Sequence, residues 1–225
     1  MAEEGGAPAM KLEDLGFSES TYGEVILTVS LGDAVNSAPM GILLHGGCRL
    51  RLKVYRTGKT YELIVGGAED CVLNVTSDPL LFYNAIFKKD ELSYCPAELV
   101  SSPRIRGCDA YVECSIRGLT HHEGYISVLL EPVLVEAPDR TVRVYSRVGP
   151  AIIEALISYT RLSSSREPRE RERLMRKIRT FREIVYHSSR NPAFREVADD
   201  VLRRSERMLA SRNTSPDKKG YYVDV

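Results

Sequence analysis

The sequence predicts a mainly β protein with added α structure: a closed or nearly closed antiparallel barrel of about six strands, then a C-terminal helical extension. Three observations carry that expectation. Short β-branched runs separated by tight turns fill most of the chain, no long helix separates consecutive runs, and after Gly149-Pro150 the hydrophobic period changes from two to about 3.6.

The elements follow in order. Gly23 to Leu31 (GEVILTVSL) reads as a strand, Gly32-Asp33 as a turn, and Val35 to His45 as the hairpin partner. After Gly46-Gly47, Arg49 to Arg56 alternates, with Leu50, Leu52 and Val54 on one face and Arg51, Lys53 and Tyr55 on the other, as in a half-buried strand. Thr60 to Ile64 suits one helical turn, and Cys71 to Thr76 a strand stopped by Ser77-Asp78-Pro79. Asp78 before Pro79 is a helix start, because the carboxylate accepts from free first-turn amides, so a short helix is expected over 80–87. Residues 90–108 contain two prolines and little periodicity and read as a connecting loop. Strands return at 110–119 and 124–135, joined by a His121-His122 hairpin end, and a last short strand is expected at 141–146.

Beyond Gly149-Pro150 the pattern is helical. Ile152, Ile153, Leu156, Ile157 and Tyr159 form one apolar face, Leu174, Ile178, Phe181 and Val185 a narrower stripe after Pro168, and Asn191-Pro192 caps a third helix carrying Phe194, Val197, Val201 and Met208. The expected organisation is a disordered N-terminus over 1–15, a barrel domain over 16–148, a helical domain of about three helices over 149–212 and a tail over 213–225.

Charge separates the same two parts. The whole chain has 31 basic and 31 acidic side chains, which excludes a globally basic nucleic-acid binder and an acidic solvating tail. Residues 1–148 nevertheless carry 14 Lys and Arg against 20 Asp and Glu, and residues 149–225 carry 17 against 11. The absence of Trp and Gln and the preference for Arg over Lys resemble thermophile composition. No run of eighteen apolar residues occurs and the start MAEEGGAPAM lacks signal-peptide character, so a cytoplasmic protein without a membrane span is expected.

Cys48, Cys71, Cys95, Cys108 and Cys114 contain no C-x-x-C pair and read as small buried hydrophobes, with a Cys108–Cys114 disulfide as the minority alternative; no metal site is expected. No Ser-His-Asp, Cys-His or paired-carboxylate arrangement stands out, and no catalytic residue is assigned.

Three stretches have the chemistry of a ligand site. In Val35 to Gly41 (VNSAPMG), Pro39 removes a ladder N–H from an apolar strand, so the backbone there is not fully paired in its own sheet, and the small Ser37, Ala38 and Gly41 permit close approach of a flat, polar-edged ligand. In Tyr55 to Tyr61 (YRTGKTY), Arg56, Thr57, Lys59 and Thr60 surround Gly58, an inventory that suits a phosphate without P-loop spacing. Asn74 and Thr76 share one face of their strand, where an Asn amide can read an imide edge or anchor a loop. The bland counterparts are an edge strand with a bulge, a solvated basic turn and a loop anchor.

Taken in order, GEVILTV, NSAPMG, YRTGKTY, NVTSDPLLFY, YVEC and GPAIIEALISYTRL resemble the archaeal, largely uncharacterised branch of the FMN-binding split-barrel superfamily over about residues 16–165. That superfamily includes flavin reductases and pyridoxamine-phosphate-oxidase-like proteins. The resemblance implies a six-stranded antiparallel split β-barrel and a homodimer with FMN in a groove at the subunit interface. By position, the strand with Asn36, Ser37, Ala38, Pro39, Met40 and Gly41 would lie along the isoalloxazine, its backbone near 38–41 meeting the polar edge. Thr57, Lys59 and Thr60, with Arg56, would hold the phosphate, and Asn74 and Thr76 would line the cofactor's other side.

The function implied is that of an FMN-binding flavoprotein, with an NAD(P)H-dependent flavin reductase or oxidoreductase of unassigned substrate as its catalytic form. Two alternatives stand beside it: a protein that holds FMN without turnover, and a non-catalytic module whose basic C-terminal helices bind nucleic acid or protein. Nucleic acid is disfavoured because Glu170, Glu172 and Glu183 lie among the arginines at i,i+3 and i,i+4 spacings, which suits surface ion pairs.

Overall fold

Gly23–Leu31 (β1) and Ala34–His45 (β2) form the expected hairpin, in register from Leu31 opposite Ala34 to Gly23 opposite Ile42. Gly32 turns it with φ at 57°, a left-handed conformation that side chains disfavour. Next come Arg49–Tyr55 (β3), Lys59–Val65 (α1), Asp70–Val75 (β4) and Pro79–Phe87 (α2), the last capped by the Asp78 carboxylate accepting from the Leu80 N–H at 2.8 Å. The short strands Tyr94–Cys95 (β5) and Arg104–Ile105 (β6) pair with each other, and Ala110–His121 (β7) and Tyr125–Glu136 (β8) complete the β structure. This computed structural model describes residues 11–138 and 141–213, and the chain divides into two compact units, Met1–Ser146 and Arg147–Val225.

In the first unit six antiparallel strands close a barrel in the order β1-β2-β3-β8-β7-β4. Pairing of Ile26–Thr28 with Val72–Asn74 completes the ring. In β3 the alternation read from sequence is realised, with Leu50, Leu52 and Val54 buried between exposed neighbours. These side chains join Val25, Leu27, Val29, Ile42, Leu73, Val112, Ile126, Val128 and Leu130 in one core, and each full burial of such a residue stabilises by about 1.5–3 kcal/mol.

Several expectations are corrected. The expected disorder over 1–10 lies outside the described residues, but 11–15 are ordered: Glu13–Leu15 form a 3-10 turn and Leu12 and Leu15 sit in the barrel core. Residues 141–146 supply only an isolated bridge, Tyr145 to Glu24, because β1 already has β2 and β4 as partners over its centre. Val144 packs over Gly23, where a Cβ would come within 2.6 Å of it. Of the cysteines expected to be buried, Cys71 and Cys114 are, Cys95 and Cys108 are half-buried and Cys48 is exposed; Cys108 and Cys114 are free thiols, so the minority disulfide alternative is not realised. An extended strand separates them at about 3.3 Å per residue, and Cys114 instead faces Cys71 across β4 and β7.

The second unit contains Val148–Ser164 (α3), Pro168–Ser188 (α4) and Pro192–Asn213 (α5). Its core is Ala155, Leu162, Leu174, Met175, Ile178 and Val201, with Val148, Ala151, Val185 and Ala198 in a second cluster. The apolar face expected of α3 is not the one that is buried: Ile153, Leu156 and Ile157 are exposed, while Val148, Ala151, Ala155, Ser158 and Leu162 are buried. Small side chains let helices approach closely, and packing took that face. The arginines of α4 and α5 are laced to acids, as in Glu170–Arg173, Arg182–Asp199 and Arg204–Asp200. Of the expected tail over 213–225, Asn213 belongs to α5 and the rest lies outside the described residues.

Candidate functional site

β2 pairs with β1 along its whole length but with β3 only from Ile42 to His45. Residues Ala34–Gly41 therefore have a strand on one side alone, and their other edge offers backbone donors and acceptors. Pro39 belongs on such a strand. It stands opposite Ile26, whose carbonyl is turned to β4 and accepts from Asn74 Nδ2 at 2.8 Å. Since the N–H and C=O of a strand residue point the same way, β1 asks no donor of Pro39. Ala38, Pro39, Met40 and Gly41 are half-buried, and the Tyr22 ring lies against Gly41, 3.1 Å from where a Cβ would be.

The side chains that precede this strip are buried and engaged. Ser37 Oγ lies 2.8 Å from Thr28 Oγ1 and 3.0 Å from the Tyr94 hydroxyl. Asn74 Nδ2 donates to Thr28 Oγ1 at 2.9 Å, and Asn74 Oδ1 accepts from the Ile105 N–H at 2.7 Å. Asn74 is fully buried, so the structure gives it the loop-anchoring role: it ties β6 to β1 and β4 instead of facing a ligand. Thr76 is also buried, its hydroxyl accepting from the Asp78 N–H at 3.1 Å and so shaping the entry to α2.

Asn36 connects the strip to the basic loop. Its Nδ2 donates to Thr60 Oγ1 at 2.8 Å in the first turn of α1, and its Oδ1 accepts from Lys89 Nζ at 2.5 Å. Thr57 and Lys59 are exposed, and Lys59 pairs with Glu62 at 3.0 Å. The Arg56 guanidinium donates to the His122 carbonyl at 2.7 Å, which ties the loop to the β7–β8 hairpin end. The structure thus joins Asn36 to Thr60 directly, places Ser37 in a separate network with Asn74, and gives Arg56 and Lys59 other partners.

Sequence reasoning missed Thr28, Lys89 and Tyr94. Thr28 looked like an ordinary strand residue, while Tyr94 belongs to the segment read as a plain loop and Lys89 immediately precedes it. The adjacent Lys88-Lys89 after a short helix was the available signal. That segment is held by a buried ion pair, Arg104 to Glu113 at 2.6 Å, and Glu113 also accepts from the Glu98 and Leu99 N–H groups.

Titration chemistry is subdued. Burial, helped by Asp109 and Asp78, pushes the Cys108 thiol up to about 12, and burial also raises Cys114 well above the usual thiol range, so neither is a thiolate nucleophile at neutral pH. Burial lowers the Lys89 ammonium below its ordinary value. Among the described residues, no group of three His, Cys, Asp or Glu is placed to hold a metal ion, and no helix is long and apolar enough to cross a membrane. Open grooves among the described residues lie elsewhere, one in the barrel unit lined by Asp70, Ser115, Arg117 and Leu119, another in the helical unit lined by Leu156, Tyr159, Val197 and Arg204.

The family model described as the N-terminal domain of a protein of unknown function, DUF447, matches residues 23–138, just over half of the 225 residues. An FMN-bound DUF447 protein from Methanosarcina mazei is similar in structure, with 21% identity, 86% of this chain and 99% of that chain covered, and a TM-score of 0.50. A flavin reductase complexed with NADP+ matches at 14% identity over 56% of this chain and 89% of its own, with a TM-score of 0.46. An NADH:FAD oxidoreductase from Streptomyces globisporus matches at 16% identity over 61% and 84%, with a TM-score of 0.46. The six-stranded split barrel followed by C-terminal helices is the fold shared with the Methanosarcina mazei protein. With all six barrel strands and the β5–β6 pair inside the matched segment, the chain belongs to the DUF447 family.

Proposed function

We propose that this protein is an FMN-binding flavoprotein in which the isoalloxazine lies along the half-paired edge of β2 and the phosphate lies at the loop of residues 57–60. One observation carries the reading: the open edge over Ala34–Gly41 is joined, through the Asn36–Thr60 hydrogen bond, to a loop rich in hydroxyls and cations. The residues fit the group. The unpaired strand edge presents the Pro39 carbonyl and the Gly41 N–H and C=O to the polar edge of a flat ring, the small Ala38 side chain leaves room for it, and phosphate favours charge-assisted donors. The FMN in the Methanosarcina mazei relative supports the same choice of cofactor.

Bound FMN supplies redox chemistry, and the protein contributes binding, orientation and electrostatics. The backbone groups of Pro39 and Gly41, which alternate away from β1, would hold the ring, while Asn36, Ser37, Asn74 and Thr76 act from behind, fixing the strand and its surrounding loops. The catalytic form of the reading is an NAD(P)H-dependent reductase. A homodimer accompanies it, supported by the exposed Leu80, Tyr83, Ile86 and Phe87 of α2, an apolar stripe on a nine-residue helix.

The test is FMN titration of the purified chain, read by flavin absorbance and fluorescence quenching. Saturable binding is expected, and protein that remains colourless with added FMN overturns the cofactor assignment. Oxidation of NAD(P)H by the loaded protein then separates a reductase from a protein that only holds flavin.

A further inference from the structure

We infer that Lys89, fixed by Asn36, is the cation that binds the phosphate end of the flavin, in place of Arg56 and Lys59. The inference rests on the FMN reading and deepens it by assigning the phosphate charge to a residue outside the basic loop.

The cations around the site differ in what they already hold. Lys59 is paired with Glu62 at 3.0 Å and Lys88 with Glu91 at 2.7 Å, while Arg56, which like Lys89 holds only a neutral oxygen, is tied by the His122 carbonyl to the β7–β8 hairpin end rather than to Asn36. Lys89 has no carboxylate partner among the described residues; its ammonium lies on a neutral amide oxygen, Asn36 Oδ1, at 2.5 Å. An ammonium has three donors, so at least two remain for a ligand. Partial desolvation lowers its pKa from the ordinary value, while the residue stays exposed enough for a ligand to reach it.

Asn36 makes the placement directional. Its Nδ2 faces Thr60 Oγ1 and its Oδ1 faces Lys89, and the reverse orientation would turn the amide's own donors toward an ammonium. Lys89 is therefore held two hydrogen bonds from the first turn of α1, beside the Thr57–Thr60 loop. Asn36 also lies on the Thr60 end of the strip, two residues before Ala38, so the cation is at the end away from the proposed ring contacts. A lysine acts on phosphate as a mobile point charge, which suits a monoester dianion.

The experiment compares FMN with riboflavin, which lacks the phosphate, by fluorescence titration of the full chain. In Lys89→Met, FMN affinity is expected to fall by about 10- to 100-fold while riboflavin affinity changes less than about twofold. Lys89→Arg should retain most FMN affinity, and Lys59→Met should lose less than about threefold. An unchanged melting temperature of Lys89→Met confirms that the fold is intact. Equal losses for FMN and riboflavin, or no loss for either, overturn the inference while leaving the flavin reading in place. Wild-type protein that binds neither ligand overturns both.

Discussion

Asn36 Nδ2 donates to Thr60 Oγ1 at 2.8 Å, joining the open edge of β2 to the first turn of α1 across 24 residues of sequence. Both side chains are buried, so the bond is shielded from water and its loss leaves a polar group without a solvent partner. This contact joins the open edge to the end of the basic loop.

Thr60→Val keeps the side-chain shape and removes the acceptor. It should destabilise the barrel by about 1–3 kcal/mol, because Asn36 Nδ2 is left unsatisfied. Thr60→Ser should recover most of that stability in urea unfolding. Valine and serine variants of equal stability would show that the bond contributes nothing.

Arg104 and Glu113 form a buried pair, with side chains 7% and 0% exposed. Removing one partner strands the other charge, so Arg104→Met should cost about 3–5 kcal/mol. Glu113 also holds two backbone amides at Glu98 and Leu99, and limited proteolysis near residues 97–103 should therefore accelerate in Glu113→Gln. A variant as protease-resistant as the wild type would mean that the loop is held by other contacts.

Asp70 links acid sensitivity to the same loop. Burial alone would raise its pKa, but hydrogen bonds from the N–H and hydroxyl of Ser101 and from the Ser102 N–H hold the carboxyl below its ordinary value. A lowered folded-state pKa gives stabilisation that is fully present above the unfolded value of 3.8 and is lost as pH falls through the folded value. Asp70→Asn should thus be less stable than wild type at neutral pH, and the difference should shrink as pH falls below 3.8 toward the lower folded-state value. Urea midpoints at neutral and acid pH decide it, and a gap that persists in acid contradicts the linkage.

The α2 stripe predicts assembly. Leu80 and Phe87 are 69% and 70% exposed, so replacing either with Glu removes no core packing. Phe87→Glu should shift the protein to monomer in light scattering while preserving its melting behaviour in dilute solution. A wild-type chain that is already monomeric at working concentrations would remove α2 from any interface.

Much of the barrel was legible because strands carry their own periodicity. Arg49–Tyr55 alternates strictly, Gly32-Asp33 turns the hairpin, and Asp78-Pro79 starts a helix, all from local chemistry. The helical faces were less legible: Ile153 and Leu156 are apolar yet exposed, since which face of α3 is buried depends on what α4 and α5 present to it. Asn74 was visible as a polar residue in an apolar strand, but only its bonds to Ile26, Thr28 and Ile105 show that it braces loops.

Sequence alone determined the barrel followed by helices, the proline-marked strand at Asn36 to Gly41 and the basic loop at Arg56 to Thr60, because turn chemistry and hydrophobic period act over a few residues. Tertiary structure alone decided which cations are already paired and which residue bridges strand and loop. Lys89 is 53 residues from Asn36 along the chain, and no local pattern encodes a contact of that span. Barrel closure and the folding of the 88–106 segment bring them together.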